Sequence, residues 1–374
     1  MWALKPQTEI KHKLLTGYLG RWIPILAQRR RQGERIVYID GFSGPGRYSK
    51  GEPGSPLLVL QVALEHPRLD ALLARPRFEM AFTFIDMDRR TCDQLGEELE
   101  AFASGHRLPA QFRIDGPIHG EFNEHMNRVL DTLNEQRVRI EPAFVFIDPF
   151  GPTGFPMKLV GRIMRNPSCE VFIRLNYTRL ANTFLRRKDM EWKLSELYGS
   201  DDWKRARTMA SEREKFLISL YEDQLRGVGN IKLVQPFRTV DPTGHVAYFV
   251  FGTNNSVGFE EMKEAMWKVD PEGLFRWQAS RQRDMSQGTF LRSVADDECG
   301  QQLGELLTRG FAHKAVRVAE LEEFVRREPG VLSRHLRPAL TELELQGRIL
   351  NVTRPSTQPR RKGTFPPDAI VQFV

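Results

Sequence analysis

The stretch Tyr38-Ile39-Asp40-Gly41-Phe42-Ser43-Gly44-Pro45-Gly46 joins an apolar run, Ile36–Ile39, to a glycine turn through an acid. Glycine reaches positive φ and has no Cβ to hold a ligand away from the backbone, so Gly44 and Gly46 suit a sharp turn pressed against a small molecule. Two phosphate-binding alternatives fit less well. A dinucleotide fingerprint would place a third glycine where Ser49 stands, and a phosphate loop would need Gly-Lys followed by Ser or Thr. Residues 47–54 separate the turn from Ser55-Pro56, which reads as an N-cap with proline in the first helical position. A glycine-rich turn with no ligand is the plain alternative.

Working outward, Ile36–Ile39, Ala81–Ile85, Gln111–Ile114, Ala143–Ile147 and Val171–Leu175 are short, rich in β-branched and aromatic residues, and each runs into Asp or Asn. Helical patterns at Pro56–Glu65, Arg89–Phe102 and Glu121–Glu135 separate them, which predicts a parallel sheet covered by helices on both faces. Ile231–Pro236 and Val246–Phe251 flank the turn signal Asp241-Pro242-Thr243-Gly244, so an antiparallel hairpin is expected to close the sheet. Ligands of open α/β sheets bind at the carboxyl ends of strands, so the acids there are candidates. Asp86, after the second strand, can accept bonds from ribose hydroxyls, while Asp88 is the alternative or a helix cap. Asp115, after the third, can take an adenine amino group or serve a turn. The fourth strand delivers Asp148-Pro149-Phe150-Gly151, an acid and an aromatic at a strand end, or simply a turn.

Residues 7–30 read as a helix with a stripe of Ile10, Leu14, Leu15, Tyr18, Leu19, Trp22 and Ile25, kinked or broken at Pro24. Arg29-Arg30-Arg31 at its end suits the helix dipole. The 374 residues are 40% hydrophobic and 28% charged, ordinary for a globular protein with a core. No apolar run reaches the roughly 20 residues of a membrane helix, the N-terminus lacks a signal core, and Cys92, Cys169 and Cys299 are scattered. These features predict a cytoplasmic protein with neither disulfides nor a metal site. The net charge of +7 only mildly favours an anionic partner.

From about Asp296 the pattern changes to helices at 299–309, 317–326 and 333–346, then strands at Arg348–Val352 and Ala369–Val374. Three helices and two strands around a loop predict a winged-helix-like α+β module, with Ser280–Asp284 as linker and domains at 1–285 and 286–374. Arg334, His335 and Arg337 are expected to face outward from Ser333–Leu340, and the following loop holds Arg354, Arg360, Arg361 and Lys362. Arg334, Arg337, Arg360, Arg361 and Lys362 are therefore candidate nucleic-acid contacts; a protein-docking module is the alternative. Pro338 fits if it lies in the first turn of its helix.

Asp40, Phe42, Gly44 and Gly46 form the D-x-F-x-G-x-G version of the first motif of class I methyltransferases, and Asp148-Pro149-Phe150 resembles the D-P-P-Y motif of amino methyltransferases, without its second proline. Lys11-His12, Tyr38-Ile39-Asp40, Gly44-Pro45-Gly46-Arg47-Tyr48 and Asp148-Pro149 resemble the ribosomal RNA adenine-N6 methyltransferases. The resemblance is closer to the three-Cys-motif partner proteins (TcmP family), through the first helix, Tyr38 to Pro56, Phe146 to Gly151 and the tail. These resemblances imply a Rossmann-like class I methyltransferase sheet binding S-adenosylmethionine, with Lys11, Asp40, Phe42, Gly44, Gly46, Asp86 and Asp115 at the cofactor. Asp148, Pro149 and Phe150 would then hold an acceptor amine or base. They also imply a radical-S-adenosylmethionine-type partner, whose cysteines give the family its name. The expected function is methyl transfer to nucleic acid, or a non-catalytic binding role beside that partner.

Overall fold

The computed structural model describes residues 3–29, 35–75, 78–138, 140, 142–270, 274–279, 285–354 and 361–374, without side chains for 26–29 and 285–295. Arg30, Arg31, Arg360 and the linker expected at Ser280–Asp284 lie outside the described residues. By its contacts the chain forms two compact units: Met1–Asn255 with Trp277–Ser280, and Ser256–Arg276 with Arg281–Val374. The helix Ser256–Val269, which the sequence boundary at 285 leaves with the sheet, thus groups with the C-terminal residues.

In the first unit the strands are β1 (Arg35–Asp40), β2 (Glu79–Asp86), β3 (Phe112–His119), β4 (Ala143–Ile147), β5 (Cys169–Leu175), β6 (Leu233–Val240), β7 (Val246–Thr253) and β8 (Arg276–Gln278). Their order is β3-β2-β1-β4-β5-β7-β6-β8. β1 to β5 are parallel, and β7 runs antiparallel to both β5 and β6, as the Asp241–Gly244 turn predicts. Strands covered on both faces read as continuous apolar runs, and every residue of β4 is buried. The chain winds from β1 outward to β3 and then returns to β4 on the other side of β1. That reversal opens a crevice at the carboxyl ends of β1 and β4, where Rossmann-like sheets bind ligands.

Two local expectations differ. Of the kink or break expected at Pro24 the break does not occur: the helix runs from Pro6 to Arg29, with Ile10, Leu14, Leu15, Tyr18, Leu19 and Trp22 buried. β3 does not end at Ile114: its pairing with β2 shifts register across Gly116-Pro117 and resumes to His119. Glycine and proline there mark an irregularity within the strand rather than the turn they suggest in sequence.

The second unit holds helices Ser256–Val269, Met285–Phe311, Val318–Arg327 and Leu336–Leu345 and a three-stranded antiparallel sheet. Its strands, β9 (Ala315–Arg317), β10 (Ile349–Thr353) and β11 (Ile370–Phe373), lie in the order β10-β11-β9. Leu303, Leu321, Val325, Leu340, Val371 and Phe373 form its core. Pro338 is in the first turn of its helix, where a missing N–H costs nothing. Lys263 is fully buried and caps the end of Val318–Arg327. Its Nζ donates to the carbonyls of Val325 (3.2 Å), Glu328 (2.8 Å) and Val331 (2.7 Å) and pairs with Glu260 at 3.1 Å.

Candidate functional site

β1 ends in the fully buried Asp40, which organises the turn that follows. Its Oδ1 accepts the Phe42 N–H at 3.2 Å and its Oδ2 the Ser55 hydroxyl at 2.7 Å. Burial pushes its carboxyl up to about 6 against the pull of Ser55 and Lys11. Asp40 therefore anchors the loop. Ser55 is not the N-cap; Gly54 holds that place, and Ser55 begins the helix Ser55–Leu64 with its hydroxyl turned to Asp40. Phe42 packs on Phe122 and Phe155, with ring centroids 5.8 and 6.4 Å away, and so fastens the loop to the core.

Gly44 and Gly46 have φ of +67° and +82°, the left-handed region that favours glycine. A Cβ on Gly44 would project into open space, so the turn leaves room for a ligand against its backbone. A Cβ on Gly46 would meet Leu95 at 3.0 Å, so that glycine serves close packing.

Asp86 faces this loop. It accepts the Gly44 N–H on Oδ2 at 3.0 Å and the Asp88 N–H on Oδ1 at 2.9 Å. A carboxylate oxygen accepts two bonds, so both can also take a ribose diol. Asp88 is the helix cap, accepting the Thr91 N–H at 2.8 Å, and its carboxyl is held low by that bond. Met87 between them is 66% exposed, an apolar surface that periodicity gave no reason to single out. Asp115 sits within β3 opposite Thr83, which is three residues before Asp86 on β2 and roughly 10 Å short of that strand's carboxyl end, and it bonds Arg113 at 2.8 Å.

Across the crevice, Asp148 follows β4 and is gripped by two cations. Lys11 Nζ, from the first helix, lies 2.8 Å from Oδ2, and Arg174, from β5, donates to Oδ1 at 3.1 Å. Burial would raise the Asp148 carboxyl, but Lys11 and Arg174 outweigh it and hold it at about 2. Burial likewise opposes the charge on Lys11, yet Asp148 keeps that amine above its ordinary value. Beside it, burial and the Lys11 charge drive His12 down to about 3. A carboxylate with both oxygens on cations is a poor base for an amine proton. Phe150 is 62% exposed, with its carbonyl accepting from Arg179 at 2.9 Å. A small cleft lined by Gly151, Pro152, Phe155, Arg174, Asn176 and Arg179 adjoins this loop.

The structure thus brings Lys11, Asp40, Gly44, Gly46, Asp86 and Asp148 to the carboxyl ends of β1, β2 and β4. Arg174 is a functional-site residue outside the sequence candidates, although a lone cation in the apolar run Val171–Leu175 signals a buried partner.

In the second unit His335 is buried, correcting its expected outward position; its Nε2 lies 2.8 Å from Asp296 and its Nδ1 accepts the Leu332 N–H at 3.1 Å. Arg334 is held by Asp296 (3.0 Å) and Glu264 (2.8 Å) and stacks 4.8 Å over Trp267. Arg337, Arg361 and Lys362 are exposed, and Arg354 pairs with Asp368 at 3.1 Å.

No protein-family model matches the chain, and no curated protein matches it by sequence. Among solved structures it is similar to a protein from Legionella pneumophila str. Philadelphia 1, with 13% identity, 67% of this chain and 86% of that one covered, and a TM-score of 0.36. It is similar to spermidine synthase from Thermotoga maritima at 10% identity over 66% of this chain and 62% of that one, with a TM-score of 0.32. A SAM-dependent methyltransferase from Aquifex aeolicus shares 10% identity over 63% of this chain and 88% of its own, with a TM-score of 0.26. At these identities and TM-scores the likenesses assign no activity to this chain.

Proposed function

We propose that the crevice between β1 and β4 binds S-adenosylmethionine and that the protein is a methyltransferase-like protein acting on nucleic acid. The observation that carries this reading is the turn at Gly44, open on its Cβ side and tied by its N–H to the acid that ends β2. The residues fit the cofactor. Backbone at Gly44–Gly46 can lie against it, Asp86 can accept its ribose hydroxyls, Met87 offers an apolar face to its base, and Asp40 and Phe42 hold the loop in shape. The cofactor supplies an electrophilic methyl group; this chain's contribution would be binding and orientation. We also infer membership of the three-Cys-motif partner family, from Tyr38 to Pro56 and Phe146 to Gly151, and read residues 286–374 as a winged-helix-like module.

One observation favours a second reading, a non-catalytic partner of a radical-S-adenosylmethionine-type protein. Asp148, the candidate acceptor acid, is neutralised by Lys11 and Arg174. Incubating the protein with methyl-labelled S-adenosylmethionine and total cellular RNA and DNA separates the two. Label in a nucleoside supports the enzyme; bound cofactor without transfer supports the accessory role.

A further inference from the structure

Between β5 and β6 the chain leaves the sheet, and we propose that this insertion carries a phosphate-binding cleft for single-stranded nucleic acid. The proposal rests on the nucleic-acid reading above and moves the contact surface from the C-terminal module to the crevice side of the sheet. Arg186, Lys188, Arg207 and Arg213 converge on an open cleft of about 350 Å³ with an apolar floor of Ala181 and Leu185 and no carboxylate in its lining. Two of these cations are fixed in place. Arg207 donates to the Leu185 carbonyl at 2.9 Å and to Glu191, outside the lining, at 2.6 Å; Arg213 donates to the Ala206 carbonyl at 3.0 Å. The other two, Arg186 and Lys188, are exposed and make no ion pair among the described residues. Fixed guanidinium groups beside open cations suit a run of phosphates better than a solvated surface does.

The cleft also adjoins the candidate site. Its floor residue Ala181 lies in a π-helical turn, Leu180–Phe184, a rare element common at functional sites. Leu180 and Phe184 of the same turn line the smaller cleft beside Gly151 and Pro152. Arg179, just before it, is tied to the Phe150 carbonyl at 2.9 Å. A strand with a base stacked on the exposed Phe150 ring would run past Arg179 and this turn toward the cations, the pairing of stacking platform and basic groove that binds single strands.

The test is fluorescence anisotropy of a labelled oligouridylate with the full chain, titrated between about 50 and 200 mM salt. Arg186→Glu with Lys188→Glu should weaken binding about tenfold or more and flatten the log–log salt slope by about 1.4, two single-strand phosphate contacts. Arg361→Ala with Lys362→Ala should leave both nearly unchanged. Normal binding by the first variant with loss in the second overturns this proposal and keeps the nucleic-acid reading. Failure of the wild-type chain to bind overturns both. Both residues of the first variant are exposed, so an unchanged melting temperature confirms that the fold is intact.

Discussion

Replacing Asp148 by Asn should destabilise the N-terminal unit, and the size follows from its two partners. Asp148 is held at about 2 against an ordinary 3.8, by Lys11 at 2.8 Å and Arg174 at 3.1 Å. At about 1.4 kcal/mol per unit this is about 2 kcal/mol of folding free energy. A depressed acid contributes fully above its unfolded value, near pH 4, and the contribution fades as pH falls toward 2. Asn also leaves Lys11 and Arg174 facing each other with the charge between them gone, and breaking a buried pair costs roughly 3–5 kcal/mol. Arg174 is 23% exposed, so water relieves part of that cost. Urea unfolding followed by circular dichroism should show a loss of about 2–4 kcal/mol at pH 7, shrinking at pH 3. A Lys11→Met, Asp148→Asn double-mutant cycle should return a coupling of about 1–3 kcal/mol. The reasoning is refuted if Asp148→Asn loses under about 0.5 kcal/mol at pH 7 while methyl transfer collapses. The carboxylate would then be serving a substrate rather than its two cations.

Asp40 has the opposite sign, because its folded value is raised to about 6 from 3.8, so stability is lost as pH rises through that window. Asp40→Asn should raise the melting temperature at pH 8, by up to about 3 kcal/mol of stability, and not at pH 4; no gain at pH 8 counts against the buried-anchor reading. In the second unit, Lys263→Met strands Glu260 and three carbonyls and should cost about 3–5 kcal/mol, read as a lowered thermal transition. A change under about 1 kcal/mol would mean those carbonyls find other partners.

The architecture was legible because β1, β4 and β5 lie in the buried middle of the sheet and therefore read as largely apolar runs. The Asp40–Gly46 turn was legible because glycine at positive φ leaves a mark that few other constraints imitate. What escaped was pairing across long sequence distances. Lys11 meets Asp148, and Asp148 meets Arg174, only once helix, β4 and β5 are stacked, so the charge cluster around this candidate acid leaves no local mark in the sequence. Ser55 followed by proline has the look of a cap, yet the buried Asp40 claims its hydroxyl. His335 reads as polar and outward on a helical wheel, but Asp296 and the Leu332 N–H satisfy both its ring nitrogens in the interior. Local pattern thus located the ends of β1, β2 and β4, missed that of β3, and left the partners of the charges there undetermined.

The most direct test of the account is titration calorimetry of S-adenosylmethionine into the full chain. The wild type should bind in the micromolar range, about −8 kcal/mol. Gly44→Val should abolish the heat, because a branched side chain would fill the open face of the turn and strain a backbone at φ of +67°. Binding of NAD by the wild type with no heat from S-adenosylmethionine, or unchanged S-adenosylmethionine binding by Gly44→Val, would contradict it.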